Sequence, residues 1–265
     1  MTDAPLTIES RGEIEILSLN RPDQLNTFDE PMAFAMRDYF AALPDRKEVR
    51  VVILRAEGRA FCAGLDLGGW VNDGSRGTLQ HFWRLQRSLA GVLELMRACP
   101  QPIIGLGHGA ACGMGFSLLL ASDVRIAAPS LKMNAAYIKV GLGACDLGCS
   151  YFLPRMVGAS VASEYMLTGK FMSAETALSH GLLSAIVEPD ALLDAGLAMA
   201  SDMASNSPMG LRLTKEGINR NLDARSLSDA MALEDRQQVM MLMSEDFAEA
   251  VAAFQEKRAP AYKDR

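Results

Sequence analysis

Two stretches, Phe61-Cys62-Ala63-Gly64-Leu65-Asp66-Leu67 and Gly109-Ala110-Ala111-Cys112-Gly113-Met114-Gly115-Phe116, decide how this chain is read. Each follows a short apolar run, Val51-Val52-Ile53-Leu54 before the first and Ile103-Ile104 before the second. Uninterrupted runs of that kind suit strands covered on both faces. Each stretch carries glycine and leads into a helix. Backbone N–H groups are then presented where unpaired donors and the positive end of the helix dipole coincide. If the fold joins the two turns, two N–H groups converge on one carbonyl oxygen, an oxyanion hole in which each donor is worth on the order of 100–1000-fold in rate. Glycine turns after strands are also ordinary features of α/β proteins, so spacing alone leaves both readings open.

Outward from these turns, strand and helix signals alternate. Glu13 to Leu19 alternates as a strand with one wet face, and Arg21-Pro22-Asp23 breaks it. Asp29 is placed to cap a helix with Pro31 in its first turn, and Leu43-Pro44-Asp45 stops that helix. Glu57 to Gly69 reads as a glycine-rich loop. Leu79, Phe82, Leu85, Leu89, Leu93 and Met96 recur at three- and four-residue steps, a long amphipathic helix ended by Cys99-Pro100. Gly105 to Gly115 reads as a glycine-dense turn, Val124 to Ala127 as a strand, Gly141 to Gly148 as a second such turn, and Leu182 to Val187 as a last strand. From Ala191 to Phe254 only helix signals remain, broken at Ser207-Pro208 and near Asn219 to Asn221. The class is an α/β core with a C-terminal helical region. The methionines of that tail are read as packing residues or as a subunit interface.

The 265 residues are 49% hydrophobic and 22% charged, ordinary for a folded protein with a substantial core. The formal net charge of −6 argues against a general nucleic-acid binder. No apolar run approaches the roughly 20 residues of a membrane span, and Met1 to Ser10 lacks the layout of a signal peptide. The five cysteines are odd in number and show no CxxC pair, so reduced thiols and a cytoplasmic location are expected. No metal site is expected.

Taken as an ordered set, the motifs resemble the crotonase (enoyl-CoA hydratase/isomerase) family. The resemblance rests on Arg21-Pro22 with Leu25-Asn26, on Phe61 to Leu67, on Pro102-Ile103-Ile104 running into Gly113-Met114-Gly115, and on Ser122 to Ala127. It continues through Leu153 to Gly158, Leu167 to Lys170, Ala174 to Leu183 and Phe254 to Pro260, nearly the whole chain. It implies a crotonase-like spiral of ββα units over residues 1–200 with an acyl-CoA site, and a C-terminal helical oligomerisation region over 201–265. Trimers, often paired into hexamers, are the family habit. The implied ligand is an acyl-CoA thioester, with coenzyme A entering as part of the substrate and no other cofactor.

The resemblance also implies roles by position. The oxyanion donors would be the N–H groups of Leu65 and Met114, with methionine standing where the family usually has glycine. A backbone donor does not require glycine, although the side chain must find room. Leu25, Ala63, Asp66 and Leu67 would line the adenine and pantetheine path, and Phe254 and Lys257 would reach the nucleotide. The two glutamates with which a typical hydratase activates water fall on Ser117 and Tyr137, neither of which is a carboxylate. The remaining acid in the right neighbourhood is Asp146, in a turn where related branches carry an aspartate as proton shuttle or as nucleophile. One carboxylate can take a proton from one carbon and return it to another, so isomerase-like transfer is favoured over plain hydration.

Three other readings stand beside this one. A non-catalytic acyl-CoA binder fits the two vacated glutamate positions. Asp146 as nucleophile implies aryl-CoA dehalogenation or thioester hydrolysis. Gly105-Leu106-Gly107-His108-Gly109-Ala110 fits a nicotinamide-binding GxGxxA, although Asp123 precedes the next strand instead of ending it. Of the histidines, His81 reads as a surface or packing residue, His108 as structural and His180 as a helix C-terminal cap.

Overall fold

The computed structural model describes residues 4–68 and 78–265. Gly69, the end of the expected loop, and residues 1–3 lie outside them. The chain opens with a hairpin, β1 (Leu6–Arg11) antiparallel to β2 (Ile14–Leu19). Parallel strands β3 (Val51–Ala56), β4 (Ile103–Gly107), β6 (Val124–Ala127) and β9 (Ala185–Ile186) extend it into a six-stranded sheet, in the order β1-β2-β3-β4-β6-β9. A smaller sheet holds β5 (Ala110–Cys112), β7 (Lys132–Asn134) and β8 (Met172–Ser173). β4 continues into β5 and β6 into β7, so successive passes of the chain lay one strand in each sheet. The first pass joins through a bridge between Cys62 and Ala111. This is the spiral of a crotonase fold.

Both faces of the large sheet are covered. α1 (Glu30–Ala42), α2 (Leu79–Ala98) and α3 (Met114–Ala121) enclose the main core with Leu17, Leu54 and Phe61. The other face packs Ile16, Ile53, Ile104 and Ile126 against α7 (Leu192–Ala204). α4 (Cys149–Val157), α5 (Ala159–Thr168) and α6 (Ala174–Ser179) lie between these layers in sequence. α8 (Pro208–Asn221), α9 (Leu227–Leu242) and α10 (Glu245–Glu256) follow α7. No described helix is long and apolar enough to cross a membrane.

Several local expectations hold for the reasons given. Asp29 caps α1 by accepting the Met32 N–H at 2.9 Å, and His180 stands at the C-cap of α6. Others need correction. β2 has no wet face, because the hairpin, β3 and helices on both sides bury all six residues. Its Glu15 is neutralised by Arg46 and accepts the Tyr39 hydroxyl at 2.9 Å. Gly105 and Gly107 are strand residues, not turn residues. They are small because α3 and the chain after it lie directly on the strand: a Cβ on Gly105 would sit 2.9 Å from Ser122 Oγ and 3.2 Å from Leu119 of α3, and one on Gly107 3.0 Å from Leu131 and 3.3 Å from Leu119. The same observation removes the nicotinamide reading, since these glycines serve helix–strand packing and form no phosphate loop. The last strand is only Ala185–Ile186, and β1, β7 and β8 had no distinct sequence signal.

Candidate active site

The turn after β3 is held by the segment that precedes α1. The buried Asn26 accepts the Arg21 N–H at 2.8 Å and donates to the carbonyls of Glu57 at 2.8 Å and Ala60 at 2.9 Å. Leu25, in the left-handed region at φ +52°, turns its carbonyl to the Ala63 N–H at 3.0 Å. Arg21 pairs with Asp29 at 2.9 Å and lies 3.7 Å from Asp66. The Arg21-Pro22…Leu25-Asn26 motif is therefore a clamp on the first glycine turn.

Phe28 then bridges Leu65. The Phe28 N–H donates to Gly64 O and the Asp66 N–H to Phe28 O, each at 2.8 Å. In extended chain, groups on the two sides alternate. Gly64 O and Asp66 N–H face Phe28, so the Leu65 N–H faces away from it.

The second turn is stitched to the first. Cys62 N–H donates to Ala110 O at 3.0 Å and Cys112 N–H to Cys62 O at 2.9 Å. Two glycines make this approach possible. Gly64, at φ +107°, would place a Cβ 3.2 Å from Cys112 O, and Gly115 would place one 2.3 Å from Cys62 O. The Gly113 N–H is taken by Asn134 O at 3.0 Å, and α3 starts at the next residue. Met114 N–H is one of the donors that a helix start leaves unpaired. Neither it nor the Leu65 N–H donates to any acceptor among the described residues. The Met114 side chain finds its room in the main core, at 1% exposure.

Leu65 and Met114 line one cavity of about 120 Å³ together with Ala63, Leu67, Tyr137 and Asp146. Asp146 is the one carboxylate among its described lining residues. It sits half-buried between Cys145 and Leu147. Leu147 turns sharply at φ +44°, which brings its N–H to Asp146 Oδ1 at 2.8 Å. The same oxygen accepts the Gln86 side-chain amide from α2. Sequence reading missed Gln86; its position four residues after Phe82, off the apolar stripe, reads as a solvated face.

Tyr137, in the 3-10 turn Ala136–Val140, reaches behind the cavity to the fully buried Ser117 of α3. Their hydroxyl oxygens are 2.6 Å apart. Burial pushes the Tyr137 hydroxyl well above its ordinary range, only partly offset by the Ser117 hydrogen bond. It stays protonated at neutral pH. Ser117, Leu25 and Asp66 stand outside the cavity lining, as do Phe254, 86% exposed, and Lys257, both at the C-terminal end of α10. His108 Nε2 is bound to Gly58 O at 2.9 Å, a structural contact. No cluster of three metal-binding side chains occurs among the described residues.

Comparison with known proteins agrees with this architecture. The Mycobacterium tuberculosis protein named "Probable enoyl-CoA hydratase EchA12" is 39% identical over 264 residues, 96% of this chain and 90% of its own. The 1,2-epoxyphenylacetyl-CoA isomerase of Escherichia coli is 32% identical over 246 residues, 93% of each chain. The enoyl-CoA hydratase structure from Bacillus anthracis superimposes with a TM-score of 0.93 at 28% identity, covering 98% of this chain and all of the other. With the family profile described as "Enoyl-CoA hydratase/isomerase" matched over residues 9–265, the chain belongs to the enoyl-CoA hydratase/isomerase family.

Proposed function

We propose that the chain is an acyl-CoA isomerase that moves a double bond through a thioester enolate, with Asp146 as the proton shuttle. The observation that carries this reading is the pairing of one carboxylate with two unengaged backbone donors around one cavity. The thioester oxygen lodges between Leu65 N–H and Met114 N–H. Asp146 removes a proton from C2, and the electron pair of the broken C–H bond delocalises onto that oxygen. The two donors, one of them at the start of α3, stabilise the developing charge. The protonated Asp146 then returns the proton at C4, and the double bond moves from C3–C4 to C2–C3.

Hydration is disfavoured on this reading by the same site. The two positions that would hold water-activating glutamates carry Ser117 and Tyr137, whose hydroxyls satisfy each other. A protonated tyrosine cannot act as the base. The Escherichia coli relative named as an isomerase is consistent with this choice, whereas the mycobacterial relatives carry hydratase names.

The nucleotide and pantetheine would run past Ala63, Asp66 and Leu67. The outward-facing Phe254 and Lys257 fit a nucleotide contact made at the molecular surface. Exposed apolar side chains on α9 and α10, among them Leu227, Met231 and Val251, support a homo-oligomer, a trimer or hexamer.

The test is a panel of 2-enoyl- and 3-enoyl-CoA thioesters in deuterated water, with isomerisation and exchange at C2 followed by mass spectrometry. Asp146→Asn lowers both by on the order of 10²–10⁴-fold, the usual worth of a positioned base. Asn keeps the shape, so affinity for the thioester is retained. Wild-type exchange in Asp146→Asn, or no exchange with any thioester in the wild type, refutes the proposal.

A further inference from the structure

The geometry points to Gln86 as a positioning residue for Asp146, an inference that rests on the reading of Asp146 as the base. Gln86 belongs to α2, far in sequence from the Asp146 turn. The buried stripe of that helix begins one turn later, at Leu89, and continues through Val92, Leu93 and Met96. Gln86 itself is exposed and adds nothing to the core. A long polar side chain at such a place normally stays free in water, because holding it still costs rotamer entropy. Here it lines the cavity, and its amide donates to Asp146 Oδ1.

The consequence is an asymmetric carboxylate. Oδ1 accepts from two directions, the Gln86 amide and the Leu147 N–H. Oδ2 accepts from no described group and is the oxygen left for the substrate. Two donors on one oxygen stop the carboxyl from rotating about its last bond. The same Oδ2 is then presented when the proton is taken and when it is returned. The choice of partner also matters. Arg87, the next residue, is committed to Glu94 at 2.8 Å, so a neutral amide meets the carboxylate instead of a cation. An amide fixes direction without placing a full positive charge beside the base.

Gln86 therefore acts through Asp146 and touches no reacting atom. Its loss should slow the chemical step and leave binding alone. It should also weaken the hold on the abstracted proton, because a carboxyl free to rotate exposes that proton to solvent before returning it.

The experiment uses trans-3-hexenoyl-CoA deuterated at C2. Three quantities are read: kcat, KM, and the ratio of deuterium delivered to C4 against deuterium lost to water. Gln86→Leu and the shorter Gln86→Asn are compared with wild type and with Asp146→Asn. Because Gln86 lies on an exposed helix face, both variants should melt with the wild type. The expected result is a fall in kcat of about tenfold, the scale of one charge-assisted hydrogen bond and its alignment. KM stays within about twofold, and the label ratio shifts toward loss to water. If Asp146→Asn is inactive while both Gln86 variants keep the wild-type kcat and label ratio, the positioning inference alone is overturned. A change confined to KM overturns it too, because Gln86 would then be contacting the ligand. Wild-type turnover in Asp146→Asn removes the base assignment and this inference with it.

Discussion

Gly115→Ala separates the two forces that act on the second glycine turn. Gly115 is a helical residue of α3, and alanine is favoured over glycine inside a helix by about 1 kcal/mol. Judged by helix propensity alone, the substitution should stabilise. The tertiary contact reverses the sign. The new Cβ would lie 2.3 Å from Cys62 O, 2.8 Å from Cys62 Cβ and 3.1 Å from Cys62 C. Two of these atoms are backbone and cannot swing aside. To reach ordinary contact the two turns must part by roughly an ångström, which strains the Cys112 N–H to Cys62 O bond now at 2.9 Å. Overpacking of this kind costs about 1–3 kcal/mol, and a backbone clash belongs at the upper end. After the propensity gain, a net loss of about 2 kcal/mol remains. That is a fall of roughly 4–8 °C in melting temperature for a domain of this size. Activity should suffer more than stability. Leu65 and Met114 are carried by the two turns, and misplacement by about 1 Å costs on the order of 100-fold in rate. Calorimetry and the thioester exchange assay on the same preparation measure both. Gly143→Ala, in open space on the Asp146 turn, is the stability control. A Gly115→Ala protein that melts at or above wild type, with exchange within threefold, would refute the claim that close approach of the turns builds the site.

Two further outcomes follow from burial. Desolvation pushes the thiols of Cys62 and Cys149 up to about 12 and that of Cys112 up to about 11, and it also raises Cys99, whereas Cys145 is exposed. A thiol-exchange reagent at pH 8 should thus modify one cysteine in the native protein and five after denaturation; rapid reaction of two or more with native circular dichroism contradicts this. Tyr39 and Tyr137 are both raised, chiefly by burial, with the Glu15 carboxylate adding to the effect at Tyr39. A group raised in the folded state loses its stabilising contribution only as pH climbs past its unfolded value, so these two leave stability untouched below pH about 10 and weaken it above. In an alkaline titration read at 295 nm, no more than three of the five tyrosines should ionise before circular dichroism reports unfolding.

The parts legible in the sequence are those governed by neighbours along the chain. The α1 cap, the C-terminal stops at Leu43-Pro44 and Cys99-Pro100, the buried strands β3 and β4 and the helical tail each depend on a few adjacent residues. Misreadings arise where distant elements decide. Glu13 to Leu19 alternates like a half-wet strand, yet Glu15 is buried because Arg46 and Tyr39 come to meet it. The glycines at 105 and 107 look like a loop and are the floor on which α3 rests. Two-residue strands such as β8 and β9 bury too little to leave a pattern.

The same division runs through the site. Spacing along the sequence supplied the two glycine turns, and the family resemblance of its motifs singled out the acid at 146 and the two positions that lack glutamate. Tertiary structure alone determined that Gly64 and Gly115 let the turns touch, that Ser117 and Tyr137 satisfy each other, and that Gln86 reaches across to Asp146. Hydrogen bonds between residues 20 to 60 positions apart leave no periodicity to read. They form only once the strands and helices have brought the donors and acceptors within 3 Å.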